Sequence, residues 1–281
     1  MKYLILILFV LSLTVIFSCS KSVDPEEYFN YPLSVGNSWE YNRSVYNTNF
    51  RPVSQEIDPP DTSVHHSIYF VQITAIDTLP GDIETYKVVE GLVYDNFPEL
   101  VETYFKNTNS GLYECGYKGA RTVSPTSSGK FRYVFLNHIF NSIEDITGFI
   151  KNLPLLSETA NDSINYFNPP LKSMHYPWKT GNQWLYREIE GQYRIDKKVT
   201  GKIEITTPAG DFECYAVQRL YDWDDDGNWD SNIESYDYIC YQGLVKRRIV
   251  LRDVVVISEF NDTLGFYDGV EDSQLKIYNI Q

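Results

Sequence analysis

The chain has 281 residues and a formal net charge of -14 at pH 7. A surface this acidic repels phosphate instead of releasing counterions, which argues against nucleic acid and against anionic lipid as partners. Its 23 tyrosines, 15 phenylalanines and 5 tryptophans, against 22% charged residues, fit an aromatic-rich β protein of one large or two small domains.

Residues 1–18 read as a signal peptide. Lys2 is a minimal positive start, and 3–17 is an apolar run broken only by Ser12 and Thr14, too short for an ordinary membrane span. The run ends in Ile16-Phe17-Ser18-Cys19, which resembles the lipobox of bacterial lipoproteins. That resemblance implies cleavage after Ser18, a diacylated Cys19 as the new N-terminus, and membrane contact through the lipid. By analogy with proteobacterial sorting, Ser20 in place of Asp implies delivery to the outer membrane. The other reading is an ordinary signal with an incidental cysteine. Loss of Lys2 takes the formal charge from -14 to -15. Residues 19–30 are a polar tether.

At residue 31 a motif begins that occurs twice: Tyr31, Pro32, Gly36, Asn37, Trp39 and Tyr41 recur in register as Tyr176, Pro177, Gly181, Asn182, Trp184 and Tyr186. Pro opens an extended approach, Gly-Asn turns, and Trp and Tyr two apart share one strand face. Further on, Gly81, Asp82, Glu84, Tyr86 and Val88 match Gly210, Asp211, Glu213, Tyr215 and Val217. Glu102, Tyr104, Gly111 and Leu112 match Glu234, Tyr236, Gly243 and Leu244 at an offset three residues larger. The expected layout is β-module 1 over 31–118, a linker over 119–170 and β-module 2 over 171–281.

Within module 1, 46–66 reads as a polar loop ending in His65 and His66, which point to opposite faces of an extended chain and do not suggest a shared metal. Strands are expected at 68–76 and 84–89 around a turn at 79–82. In the linker, 131–135 reads as a strand. Ile139, Phe140, Ile143, Ile146, Ile150 and Leu153 then recur at helical spacing, predicting one amphipathic helix over about 138–153, with Asn137 or Asn141 as cap and Pro154 as stop. Its apolar stripe is expected to pack on a sheet. Asn168-Pro-Pro170 reads as linker. Module 2 repeats the scheme with strands at 202–207 and 213–220, then at 244–251, 254–260 and 275–280, the last pairing with a sheet edge, and with 261–272 as loop.

The extra residues of module 2 fall in Asp222-Trp-Asp-Asp-Asp-Gly-Asn-Trp-Asp230. Asp222, Asp224 and Asp226 alternate, Gly227 turns, the Asn228 carbonyl is available and Asp230 returns, as in loops that wrap oxygen ligands around calcium. Position twelve is Ile233 where a bidentate Glu belongs, with Glu234 or Asp225 as substitutes. The alternative is an Asp-Gly hairpin turn with a solvated acidic rim. A hairpin centred on Gly227 places Cys214 opposite Cys240, either as a disulfide or as two facing buried thiols. Three cysteines remain after Cys19, an odd number that implies no disulfide framework, and their spacing fits no zinc site.

No nucleophile elbow, P-loop, HExxH or dinucleotide fingerprint occurs. The duplicated motif, the Thr207-Pro-Ala-Gly-Asp-Phe212 turn and the Gly243-Leu-Val-Lys246 strand together resemble uncharacterised bacterial lipoproteins. That resemblance implies a mainly β fold, two tandem repeats of a curved antiparallel half-barrel module with one linker helix, reminiscent of lipoprotein carriers, and implies no activity. Three functions are the resulting expectations: a non-enzymatic, calcium-stabilised envelope binding or scaffold module meeting a protein or glycan; a carrier of an apolar ligand or acyl chain in the concave faces; and, more distantly, a hydrolase of envelope polymers. The carrier requires an open interior.

Overall fold

The computed structural model describes residues 29–55, 57, 64–94, 97–119, 131–152 and 163–281. The signal, Cys19 and residues 20–28 lie outside the described residues, as do Leu153, Pro154 and residues 158–162 of the linker.

Alternation builds the strands. In β1 (Ser38–Pro52), Trp39, Tyr41, Arg43, Val45 and Asn47 are buried while their neighbours are half-buried or exposed. The first half continues with β2 (Val64–Leu79), β3 (Ile83–Tyr94), β4 (Phe97–Thr108) and β5 (Gly111–Lys118). After β6 (Phe131–Phe135), β7 (His138–Phe140) and α1 (Ile143–Asn152) comes β8 (Asn165–His175). The second half is β9 (Gln183–Ile189), β10 (Tyr193–Thr207), β11 (Gly210–Asp222), β12 (Ile233–Cys240), β13 (Gly243–Ser258) and β14 (Thr263–Asn279).

All of them join one antiparallel sheet, in the order β8-β5-β4-β3-β2-β1-β14-β13-β12-β11-β10-β9, with β6 added to β13 and β7 to β6. Each half is thus a curved run of hairpins, and the halves are joined where β1 pairs with β14 from Ser38↔Asn279 to Pro52↔Gly265. The sheet rolls into a nearly closed barrel. Its two ends, β8 and β9, come together without a backbone ladder among the described residues.

Both copies of the motif make the same bonds. Gly36 (φ 97) and Gly181 (φ 92) take a positive φ that a side chain would strain. Their amides donate to Ile73 O at 2.9 Å and Val199 O at 2.8 Å. The Asn37 and Asn182 side chains donate back to Pro32 O at 2.8 Å and Pro177 O at 3.0 Å. Trp39 Nε1 donates to Gln242 O at 2.6 Å, whereas Trp184 Nε1 donates to Lys172 O at 3.0 Å, across the seam between β9 and β8.

Several boundaries differ from the sequence expectation. Of the described residues in the polar stretch 46–66, most are strand, since β1 runs to Pro52 and β2 starts at Val64. Pairing with β14, which continues to Pro52↔Gly265, extends β1 past its apolar positions. Asn168-Pro-Pro170 lies within β8, an edge strand, where a missing N–H is tolerated. Residues 261–272 are mostly β14, which sits between β1 and β13 and not at an edge. The two strands expected over 244–260 are one, β13, with a register shift between Leu251 and Val254.

The helix begins at Ile143, not 138. His138–Phe140 pairs with β6, and the cap is Ser142, whose Oγ accepts the Asp145 amide at 3.0 Å. The apolar stripe of α1 packs on the sheet as expected, and burial extends beyond it: Asp145 and Thr147 are buried along with Ile143, Ile146, Phe149 and Ile150. It packs with Val45, Ile195, Tyr221, Ile233, Ile249 and Leu251, inward-facing residues of five strands, and so plugs one end of the barrel. Gly269 on β14 permits the approach, because a Cβ there would meet Ile143 Cγ2 at 2.8 Å.

Candidate functional site

The barrel interior is layered. At one end lies the cluster around Trp39, Tyr41, Ile73, Leu112, Trp178, Trp184 and Val199; at the other lies the α1 plug. Between them, single strands place a charge on an otherwise apolar face: Arg43 between Tyr41 and Val45, Lys197 between Ile195 and Val199, Arg219 between Val217 and Tyr221, Arg247 between Val245 and Ile249.

These charges form two groups. Asp237 accepts Arg219 Nη2 at 2.7 Å and Nε at 3.1 Å on one oxygen, and Arg247 Nε at 2.6 Å on the other. Burial alone would raise the Asp237 carboxyl, but the two guanidiniums outweigh it and hold it well below the usual carboxylate range. Glu271 accepts Arg43 Nη2 at 2.8 Å and Lys151 Nζ at 2.8 and 3.0 Å, and Arg43 also pairs with Glu144. Again burial is outweighed, here by Arg43 and Lys151, and Glu271 is held low. Lys151 is pushed down to about 8, chiefly by burial. This second group fixes α1 to β1 and β14.

Lys197 stands apart. It is 4% exposed, donates to Ser173 O at 3.0 Å and sits 3.9 Å from the Tyr186 ring centroid. Burial first, then the neighbouring Arg219, push its pKa well down. Beside it lies a cavity of about 120 Å³, walled by Trp39, Ile73, Phe105 and Leu112 and floored by Glu90, Lys197, Arg219, Asp237 and Arg247.

The acidic loop falls at the plugged end. Asp222, Asp224 and Asp226 bring carboxylate oxygens within 4.8 Å of one another. The loop is held by its own amides: Asp222 accepts Asp226 N at 3.0 Å and Gly227 N at 2.9 Å, Asp226 accepts Asn228 N at 2.8 Å, and Asp230 accepts Trp223 N at 2.8 Å. Asp230 lies outside that carboxylate group, and Asp225 turns away to accept Gly191 N at 2.8 Å. Trp223 joins the loop to the plug, with its ring 5.3 Å from Phe149, 5.7 Å from His138 and 6.1 Å from Tyr193. The two segments by which the repeats differ most therefore meet in space.

Cys214 and Cys240 face each other as the hairpin register requires, since Tyr215 pairs with Ile239. They are free buried thiols, so no disulfide joins them in this structure. A hydrogen bond to Cys240 raises the Cys214 thiol, and Cys240 Sγ in turn donates to Gln242 Oε1 at 2.8 Å. Cys115 is free and lies in a separate small cluster with Leu79 and Tyr104. His65 and His66 are exposed, and His66 Nδ1 lies 3.0 Å from Ser44 Oγ.

The ion layer is what motif reading misses. Its signal is a lone charge on an alternating apolar strand face, as in Trp39-x-Tyr41-x-Arg43-x-Val45, which no catalytic or metal pattern captures.

No family model and no curated protein matches the chain. Among solved structures, one described as an exported protein with a YmcC-like fold from Bacteroides fragilis is 10% identical, with a TM-score of 0.38, over 90% of this chain and 100% of that one. One described as a lipoprotein from Parabacteroides distasonis is 13% identical, with a TM-score of 0.33, over 90% of this chain and 99% of that one. At this level of superposition neither bears on the site, which rests on the chain's own residues.

Proposed function

We propose that this chain is a non-enzymatic lipoprotein, anchored by Cys19 to the outer membrane, whose barrel presents its plugged end to an envelope partner. The observation that carries the reading is the Trp223 contact, which makes one surface of the two segments the repeats do not share. Phe29, the first described residue, packs at 5.5 Å on Trp178 at the opposite end, so the plugged end is not the end at which the described chain begins. That end displays Ile139 (58% exposed) and Trp229 (41% exposed) beside the acidic rim of Asp224 and Asp226. Exposed aromatic and aliphatic side chains with a polar rim suit recognition of a protein or glycan.

Two features support a binding role over a catalytic or carrier role. Asp237 and Glu271 are each clamped by two cations and stay ionised, which unfits them as general acids. With α1 in place, a cavity of about 120 Å³ is well short of what an acyl chain needs.

The test is crosslinking in intact cells. Wild-type protein is expected to capture an envelope partner and Trp229→Ala to lose it with the fold intact; undiminished capture by the variant would refute this surface. Cys19→Ala is expected to release the protein from membranes, and persisting attachment would rule out the lipid as the sole anchor. Calcium is assigned to the Asp222, Asp224 and Asp226 carboxylates, with Asn228 and Asp230 completing the loop, because an ion relieves their mutual repulsion. Added calcium is expected to raise the unfolding midpoint, and a midpoint indifferent to calcium and chelator alike would exclude the ion.

A further inference from the structure

Lys197 is a buried amine with no carboxylate against it. Among the described residues no carboxylate lies within ion-pair distance of its Nζ; its hydrogen bond goes to the carbonyl of Ser173 and its other contact is the Tyr186 ring. The carboxylates near it are committed elsewhere. Asp237 is saturated by Arg219 and Arg247, Glu90 accepts the Tyr69 hydroxyl and Thr103 Oγ1, and Glu114 accepts the Tyr186 hydroxyl at 3.1 Å and does not line the cavity. A buried charge is ordinarily either paired or given up, so a lysine held this way keeps its proton when an anion enters beside it.

The cavity supplies the room. Lys197 lines it, and so does Arg247, whose Nε is taken by Asp237 while its side chain keeps 21% exposure within the barrel. The lining also includes the carboxylates of Glu90 and Asp237, and among its aromatic and aliphatic residues are Trp39, Ile73, Phe105 and Leu112. A space of about 120 Å³ is slightly smaller than a dry cavity of ~150 Å³ that accepts benzene. An occupant of this size has an anionic head and a short apolar body.

We propose that the barrel cavity binds a small monocarboxylate of about six heavy atoms, its carboxylate against Lys197 and Arg247 and its alkyl part against Trp39, Ile73, Phe105 and Leu112. The site is distinct from the surface at the plugged end, and either can hold without the other.

Butyrate is the probe, with 1-butanol as the neutral analogue of the same length and octanoate as the oversized acid. By isothermal titration on the full chain, butyrate is expected to bind saturably with a Kd of about a millimolar, the range open to so small a ligand. 1-Butanol and octanoate are expected to bind at least about tenfold more weakly, the loss of one good charged contact or of fit. Lys197→Met, which orphans no counter-ion and nearly conserves volume, is expected to keep the unfolding midpoint and lose butyrate binding by about tenfold or more. Three results would each overturn the proposal: no saturable binding of butyrate to wild type, equal binding of butyrate and 1-butanol, or unchanged affinity in Lys197→Met. The first two need no variant, so a misfolded mutant does not shield the proposal.

Discussion

Asp237→Ala is expected to destabilise the protein by about 3–5 kcal/mol, the range for removing one partner of a buried ion pair. The carboxylate is 4% exposed, and its two guanidinium partners, Arg219 and Arg247, are 10% and 21% exposed. Removing it leaves the two guanidiniums facing each other without the carboxylate that both are bonded to. The loss is expected to come from the orphaned cations, not from the pair itself. Replacing Asp237, Arg219 and Arg247 together with Leu or Met should therefore recover most of it. Denaturant unfolding of the single and triple variants separates these cases; a single variant as stable as wild type would mean that the layer is not closed to solvent.

The same groups fix the acid response. Asp237 and Glu271 have folded-state pKa values below their unfolded values, so the native state releases protons more readily than the unfolded chain. Their contribution is complete above the ordinary carboxylate range, near 4. It is lost as pH falls below that range toward their depressed values. Stability is thus expected to fall steeply below about pH 4, and less steeply in the triple variant.

Trp184→Ala is expected to cost about 3–5 kcal/mol, the usual cost of a large buried aromatic. Trp39→Ala falls in the same range, but the two substitutions differ in how far their effects spread. Trp39 lies where β1 and β14 are laddered along their length, so its loss leaves a cavity in a closed wall. Trp184 lies at the open seam, where its indole bond to Lys172 O, its contact with His175 and the Tyr186 bond to Glu114 stand in for a backbone ladder. Trp184→Ala is therefore expected to speed amide exchange in β8 and β9 well beyond the rest of the sheet, and Trp39→Ala to change exchange evenly. Equal patterns in the two variants would show that side chains do not hold the seam.

Most of the architecture is legible in the sequence, because the strand signal is alternation and the motif turn is local. Gly36-Asn37 and Gly181-Asn182 each announce a turn that needs only neighbouring residues to form. The parts that are not legible depend on distant partners. Residues 46–52 carry no strand signature of their own and extend because β14 pairs with them as far as Pro52. Ile139 and Phe140 keep helical spacing with Ile143, yet β6 claims them as a strand. The amphipathic pattern of α1 reports an apolar stripe, but not that the stripe faces a barrel interior with Lys151 and Glu144 also engaged there. Lys197 is one of many lysines until the cavity beside it is seen. The Asp222 to Asp230 loop is visible as a carboxylate cluster, whereas its attachment to the plug through Trp223 is not.

A barrel filled by its own plug is what separates a surface-binding module from a carrier, and native-state hydrogen exchange of α1 addresses it directly. The buried ion contacts of Arg43, Glu144, Lys151 and Glu271 and the seating of Ile143 on Gly269 predict that Ile146, Thr147, Phe149 and Ile150 exchange only on global unfolding, with the same free energy as β1 and β14. Exchange of those four amides through a local opening, while β1 and β14 stay protected, would show that the plug leaves the folded barrel and would contradict a surface-binding module with a filled interior.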